Sequence, residues 1–355
     1  MAKQQSFSLV LVILIILFTT SSSANAAQYN VLTFGAKPDG KTDSTKAFLA
    51  AWTRACESIK PATVYAPPGR FFLLNVVFQG PCKNNAILVR VDGTLVAPSD
   101  YRLTGNAGNW IFFQYVNGVT VSGGVLDGQG PGLWACKASG NNCPSGATWI
   151  NILNSQLYHI VINGCQNVKV QGVTVSASGH SPNTDGIHVQ LSSGVTILNS
   201  RIRTGDDCVS IGAGTTNLWI EKVACGPGHG IRYTEWVKNQ VLGRPSNGFA
   251  RNILFQHAIM TNVQNPMVID QNYCPDNNNC PGQESGVKIS DVTYQDIHGT
   301  SATQLAVKFD CSKKNPCTGI KLENVKLTYM NQPADASCNN ADGNASGFVL
   351  PSSCL

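Results

Sequence analysis

An all-β fold, a single-stranded right-handed parallel β-helix closed by a short N-terminal helix, is predicted by a strand-type repeat, a scarcity of charge and an abundance of Gly. The repeat comes first. A Gly or Asn, an aliphatic residue, any residue and another apolar one recur as Gly118-Val119-Thr120-Val121, Asn167-Val168-Lys169-Val170, Gly194-Val195-Thr196-Ile197 and Asn217-Leu218-Trp219-Ile220. The pattern returns as Asn252-Ile253-Leu254-Phe255, Gly286-Val287-Lys288-Ile289 and Gly319-Ile320-Lys321-Leu322. The intervals are 49, 27, 23, 35, 34 and 33 residues, and the first is expected to hold two units. Units of this length built from β-branched runs and turn residues mean a solenoid or a propeller, and no Trp-Asp blade signature occurs. Composition agrees. With 43% hydrophobic and only 13% charged residues, against a usual ~25%, the chain is neither disordered nor a helical bundle. Stacked coils bury their interiors against one another and need few charges.

The elements at the two ends differ from the middle. Lys3, the apolar run Phe7–Phe18 and the small-x-small sequence Ala24-Asn25-Ala26 predict a signal peptide over residues 1–26, and the run, at 12 residues, is too short to span a bilayer, which takes ~20. Residues 27–355 then form one domain. Thr42–Ile59 combines Ser, Thr and Asp starters with apolar residues near helical spacing, and is expected to cap the first coil. The cysteine-rich tail after Tyr329 would cover the other end, since open β-edges invite aggregation.

Secretion would put the 13 cysteines in an oxidising compartment, where most should pair. The neighbours 136/143, 274/280 and 311/317 suit small loop staples. The total is odd, and Cys165, inside an apolar repeat, is the candidate for a buried free thiol. No zinc-ligand spacing is present. Asn344-Ala345-Ser346 is a glycosylation sequon.

Acidic residues recur at the coil period. Asp185, Asp206 and His229 are spaced 21 and 23 residues apart, close to the local repeat, and Asp207 adjoins Asp206. Residues one coil apart stack ~4.8 Å from each other, so three carboxylates and an imidazole would share one patch. Like charges so close cannot all ionise freely, which raises at least one pKa and sets a proton donor beside a base. A lone Asp in such a fold more often caps a turn, and calcium binding is the other functional reading. Adjacent residues on a regular strand face opposite ways, so Asp206 and Asp207 share a site only if the chain bends, which Gly205 would permit.

Ser181-Pro182-Asn183-Thr184-Asp185-Gly186-Ile187-His188, Thr204-Gly205-Asp206-Asp207-Cys208 and Cys225-Gly226-Pro227-Gly228-His229-Gly230-Ile231 resemble the polygalacturonase family, glycoside hydrolase family 28. Tyr29-Asn30-Val31 and Asn265–Cys274 extend the likeness over nearly the whole mature chain. The resemblance implies a right-handed β-helix that hydrolyses α-1,4 bonds of pectin (polygalacturonate) with inversion and without metal or cofactor. By motif, Asp206 would be the general acid, Asp185 and Asp207 would activate water, and His229 and Asn183 would serve the network and the substrate. It also implies a disulfide between Cys208 and Cys225. Inversion fits carboxyl groups ~6.5–9.5 Å apart. The expected protein is an extracellular, cell-wall monomer that binds neither nucleic acid nor, once processed, membrane.

The sequence departs from the family in one place. Ile231 runs directly into Arg232-Tyr233-Thr234-Glu235-Trp236, which resembles the family's Arg-Ile-Lys-Thr-Trp segment, whose cations bind the substrate carboxylates; the resemblance makes Arg232 a substrate-binding candidate and puts Thr234 at the lysine place. About one coil, roughly thirty residues, is missing between them. Arg232 should therefore sit on the coil of His229 instead of the next one, displaced by ~4.8 Å. Neither Lys238 nor Arg244 has the spacing to replace the lysine. A misassembled gene model and a genuine variant both account for the gap. Three functions follow: an active pectin hydrolase, a pectin-binding relative with impaired catalysis because Arg232 is misplaced, or a Ca-dependent pectate lyase, against which the Asn-Thr-Asp and Asp-Asp motifs argue.

Overall fold

The computed structural model describes residues 26–100, 103, 109–129, 139, 159–179, 184–234, 248–272 and 286–355. Residues 1–25 of the expected signal peptide, Asn183, Cys136, Cys143, Cys274, Cys280, Lys238 and Arg244 lie outside these.

Parallel strands stack one per coil, as the repeat requires. The clearest stack is a nine-stranded sheet in which Val76–Gln79, Ile111–Gln114, Ile160–Asn163, Ile187–Gln190, Asp207–Ile211, Gly230–Thr234, Met267–Asp270, Leu305–Asp310 and Asp335–Asn339 follow in chain order. Its inward row runs Ile160, Ile187, Val209, Ile231, Met267, Val307 and Ala336, each aligned with the next. All but Ala336 are nearly inaccessible, because a strand whose inner face meets the solenoid core alternates apolar-in with polar-out. A second, larger sheet supplies the remaining walls and is parallel except where Thr328-Tyr329 meets Gln332-Pro333. The architecture is a parallel β-helix, with the right-handed crossover that parallel strands adopt. Inside, aromatic rings stack: Phe255 lies 4.7 Å from Tyr294 on the next coil, and Tyr294 5.7 Å from Phe309 across its own coil.

Two expectations are corrected. The 49-residue interval is one coil, not two: Lys169 aligns directly with Thr120, and Ile160 with Ile111. Spacing counts loop residues as well as strand residues, so a long connection mimics an extra unit. The helix is Thr45–Glu57, shorter than 42–59, because Asp39–Asp43 forms a strand and the Asp43 carboxylate accepts the Thr45 N–H at 2.9 Å. It does cap the first coil. Phe48, Ala51, Trp52 and Ala55 are buried, Trp52 stands 5.0 Å from Phe78, and Cys56–Cys82 ties its end down. At the far end Cys338–Cys354 closes the tail. Cys311–Cys317 is a loop staple, and Cys165 is a free thiol in the core. Asn344 is exposed on the strand Ala341–Leu350.

Asparagines form the ladders that turn residues make in such folds. Asn167 donates to Asn117 and Asn252 to Asn217, and Asn167, Asn217 and Asn252 have positive φ. That structural role belongs to the asparagines and not to the acidic stack.

Candidate active site

The acidic residues gather at the N-terminal ends of three consecutive strands of the nine-stranded sheet. Asp185 precedes Ile187–Gln190, Asp207 opens Asp207–Ile211, and His229 precedes Gly230–Thr234. The stacking is direct: the Gly186 N–H donates to the Asp207 carbonyl at 2.9 Å, and Asp207 aligns with Gly230.

Both aspartates reach one side because the chain turns between them. The Gly205 N–H donates to Thr184 Oγ1 at 3.0 Å, Thr204 Oγ1 donates to the Asp206 carbonyl at 2.9 Å, and a bulge shifts the register between Asp207 and Val209. The bend expected of Gly205 thus comes from two threonine hydroxyls and a bulge, and Gly205 keeps an ordinary φ. Glycines fix His229 instead. Gly230 has φ +115°, and a Cβ there would collide with the Asn265 carbonyl. A Cβ on Gly228 would come within 2.9 Å of the Asp206 carbonyl. The Cys208–Cys225 disulfide, both of whose residues are buried, joins the segment carrying Asp206 and Asp207 to the one carrying His229.

His229 Nδ1 donates to Asp206 Oδ1 at 2.9 Å, and the Asp207 N–H donates to the same oxygen at 2.9 Å. Arg232 Nε lies 3.0 Å from Asp207 Oδ1, with the two side chains 14% and 6% exposed. The contact is a buried ion pair, and a side-chain hydrogen bond from Arg232 adds to it. Burial pushes the Asp185 carboxyl well above its ordinary range, and the charges of Asp206 and Asp207 push it further. Burial also raises Asp207, to about 7, with Arg232 opposing the rise and Asp206 adding to it. For His229 burial works to lower the pKa, but the hydrogen bond to Asp206 and the charges of Asp206 and Asp207 outweigh it and the imidazole is raised. The cluster therefore holds protons at neutral pH while keeping carboxylates beside them, the condition for paired acid and base.

Asp206, Asp207 and His229 each offer an atom within 4.8 Å of the others, a spacing that could hold a cation. The Arg232 guanidinium and a readily protonated His229 already neutralise that place, so a metal would compete with two fixed cations. The same spacing brings the nearest oxygens of Asp206 and Asp207 within 4.8 Å of each other.

Three residues escaped the sequence reading. The Ser210 hydroxyl hydrogen-bonds the Asp185 carboxyl and contacts His188 Nδ1 at 2.8 Å. Burial lowers His188 to about 4, keeping it neutral. His159, wholly buried, addresses the Asp185 carbonyl twice, through its backbone N–H at 2.9 Å and Nδ1 at 3.1 Å. Their signal was the coil register, which aligns His188 with Ser210 once the strands are known.

The family model for Glycosyl hydrolases family 28 matches residues 56–233 and 243–347. A polygalacturonase of Prunus persica is 62% identical over the whole of both chains, in an alignment of 395 positions against the 355 residues here. An exopolygalacturonase of Platanus acerifolia is 38% identical over 92% of this chain and 98% of its own. Among solved structures, endo-xylogalacturonan hydrolase from Aspergillus tubingensis (TM-score 0.58, 20% identity, 90% and 100% covered) and the polygalacturonase from Erwinia carotovora (TM-score 0.54, 18% identity, 93% and 99% covered) share the fold. The family match skips residues 234–242, and the alignment to the Prunus persica polygalacturonase holds 40 positions more than this chain has residues (395 − 355). Matched by its family model along most of its length, and in whole-chain register with a plant polygalacturonase, the chain belongs to glycosyl hydrolases family 28.

Proposed function

We propose that the protein hydrolyses α-1,4-galacturonosyl bonds of pectin, with polygalacturonate as its polyanionic substrate. The observation that carries this reading is the buried stack Asp185, Asp206, Asp207 and His229 in a member of this family. Asp206 gives its proton to the glycosidic oxygen as the C1–O bond breaks. Asp207 and Asp185 take a proton from a water whose oxygen bonds to C1 from the opposite face. His229, bound to Asp206 and readily protonated, passes a proton to Asp206 and regains one from solvent, while the proton taken from the attacking water leaves Asp207 to solvent. Asn183, two residues before Asp185 in the sequence, and Asn344, an exposed sequon, are assigned to substrate contact and glycosylation. Residues 1–26 serve as a secretion signal, and the mature enzyme works alone at the cell wall. No described helix is long and apolar enough to cross a membrane.

The test is assay on polygalacturonate with calcium chelated. New reducing ends are expected. Unsaturated, ultraviolet-absorbing products that require calcium would instead identify a lyase. A second reading, pectin binding with impaired turnover, is favoured by one observation: Arg232 lies against Asp207, and the lysine place is Thr234. Retention of the polymer without either product would support it.

A further inference from the structure

The structure places a cation directly beside the acidic stack. Arg232 aligns with Ser210 on one side and Val268 on the other, on the outward row of the nine-stranded sheet that starts beside Asp185. It is thus on the same coil as His229, and its Nε reaches Asp207 Oδ1 at 3.0 Å. Both side chains are largely buried. A guanidinium committed to a buried carboxylate cannot leave it for a substrate group without stranding a charge away from water. Further along the row comes apolar Val268 and then Lys308, whose Nζ is held by Asp270 at 2.8 Å.

We infer that Arg232 is a positioning residue in this chain: its guanidinium is the fixed counter-ion of Asp207, keeping that carboxylate able to accept the proton of the attacking water, instead of forming a cradle for a substrate carboxylate. The inference rests on the hydrolase reading above. The groups facing Asp207 are Asp185 from the preceding coil, Asp206 beside it, and His229 and Arg232 from the following coil. His188 is buried and neutral. Of these, Arg232 is the cation in closest contact, and it lowers Asp207 against the burial that raises it. His229 feels the opposite side of the same charge, since Arg232 disfavours its protonation.

The experiment compares kcat/KM on polygalacturonate across pH for the wild type, Arg232→Gln and Arg232→Lys. In Arg232→Gln the acid limb should move up by at least one pH unit, about a tenfold loss at any pH below it, while KM on the plateau stays within about threefold. Arg232→Lys should restore the limb. An unmoved limb with KM raised tenfold would overturn the inference and return Arg232 to the substrate. The NMR titration of the His229 imidazole reads the same charge without turnover: it should shift upward in Arg232→Gln, and no shift would overturn the inference. If the wild type hydrolyses nothing, the functional reading fails while this titration still judges Arg232. Should Arg232→Gln not fold, the double variant D207N/R232Q decides. Removal of both charges restores a folded protein if the two are counter-ions, and continued misfolding overturns it.

Discussion

Asp185 and Asp207 show what the site costs the fold. A carboxyl whose folded pKa is raised binds its proton more tightly folded than unfolded, so its favourable contribution is complete below the unfolded value near 4. It is then lost as pH rises through the folded value. For Asp207 that window runs from about 4 to about 7. The protein should therefore be more stable near pH 5 than near pH 8. Asp185→Asn should flatten that slope and raise stability at pH 8 while abolishing turnover, whereas Asp207→Asn should flatten it without a gain in stability, because Arg232 is left buried without its counter-ion. Denaturant unfolding at the two pH values checks this, and an unchanged slope would count against it. For Asp206→Asn the expected loss is about 10²–10⁴ in kcat with KM little altered, measured as reducing ends released. These residues were legible because stacking at the coil period needs only spacing. Ser210, His188 and His159 were not, since a lone Ser or His carries no mark until the register sets it beside Asp185.

At the scale of elements, the two segments bearing the site are held by a disulfide and by glycine. Removing Cys208–Cys225 by paired Cys→Ala changes should cost about 2–4 kcal/mol and lower activity by loosening His229 against Asp206, read from thermal unfolding and kcat together. Gly230→Ala should be worse for catalysis than for stability. Its φ of +115° and the Asn265 carbonyl leave no place for a methyl, so the turn that delivers His229 must move. The Gly-His-Gly motif was plain in the sequence, but its reason was not: the obstructing carbonyl belongs to the next coil, 35 residues further on. Gly205 shows the reverse. A sequence rule assigned it the bend, whereas hydroxyls from Thr184 and Thr204 and a bulge produce it.

At the scale of the molecule, the solenoid accepts a shorter chain because each coil needs only its neighbours. Gly230–Thr234 pairs with Asp207–Ile211 before it and Met267–Asp270 after it, leaving no gap in the stack. Function is less tolerant than fold. Inserting a coil-length segment between Ile231 and Arg232 would move Arg232 one coil, ~4.8 Å, away from Asp207. The chimera should fold with similar stability and bind polygalacturonate more tightly, with KM lower by tenfold or more. An unchanged KM would show that the displaced arginine was not what limits binding. The anomeric form of the first product, followed by NMR during hydrolysis, tests inversion.

By itself the sequence determined the class of fold and the stack of acids, because both are written as periodic spacing along one dimension. It misjudged the number of coils at the 49-residue interval, since loops and strands count alike in spacing. Only the tertiary structure decided which proton-binding groups are buried, which oxygen His229 addresses, and where the guanidinium of Arg232 ends. Those depend on distances of about 3 Å between residues on different coils, where desolvation and charge act strongly and sequence separation says nothing of approach.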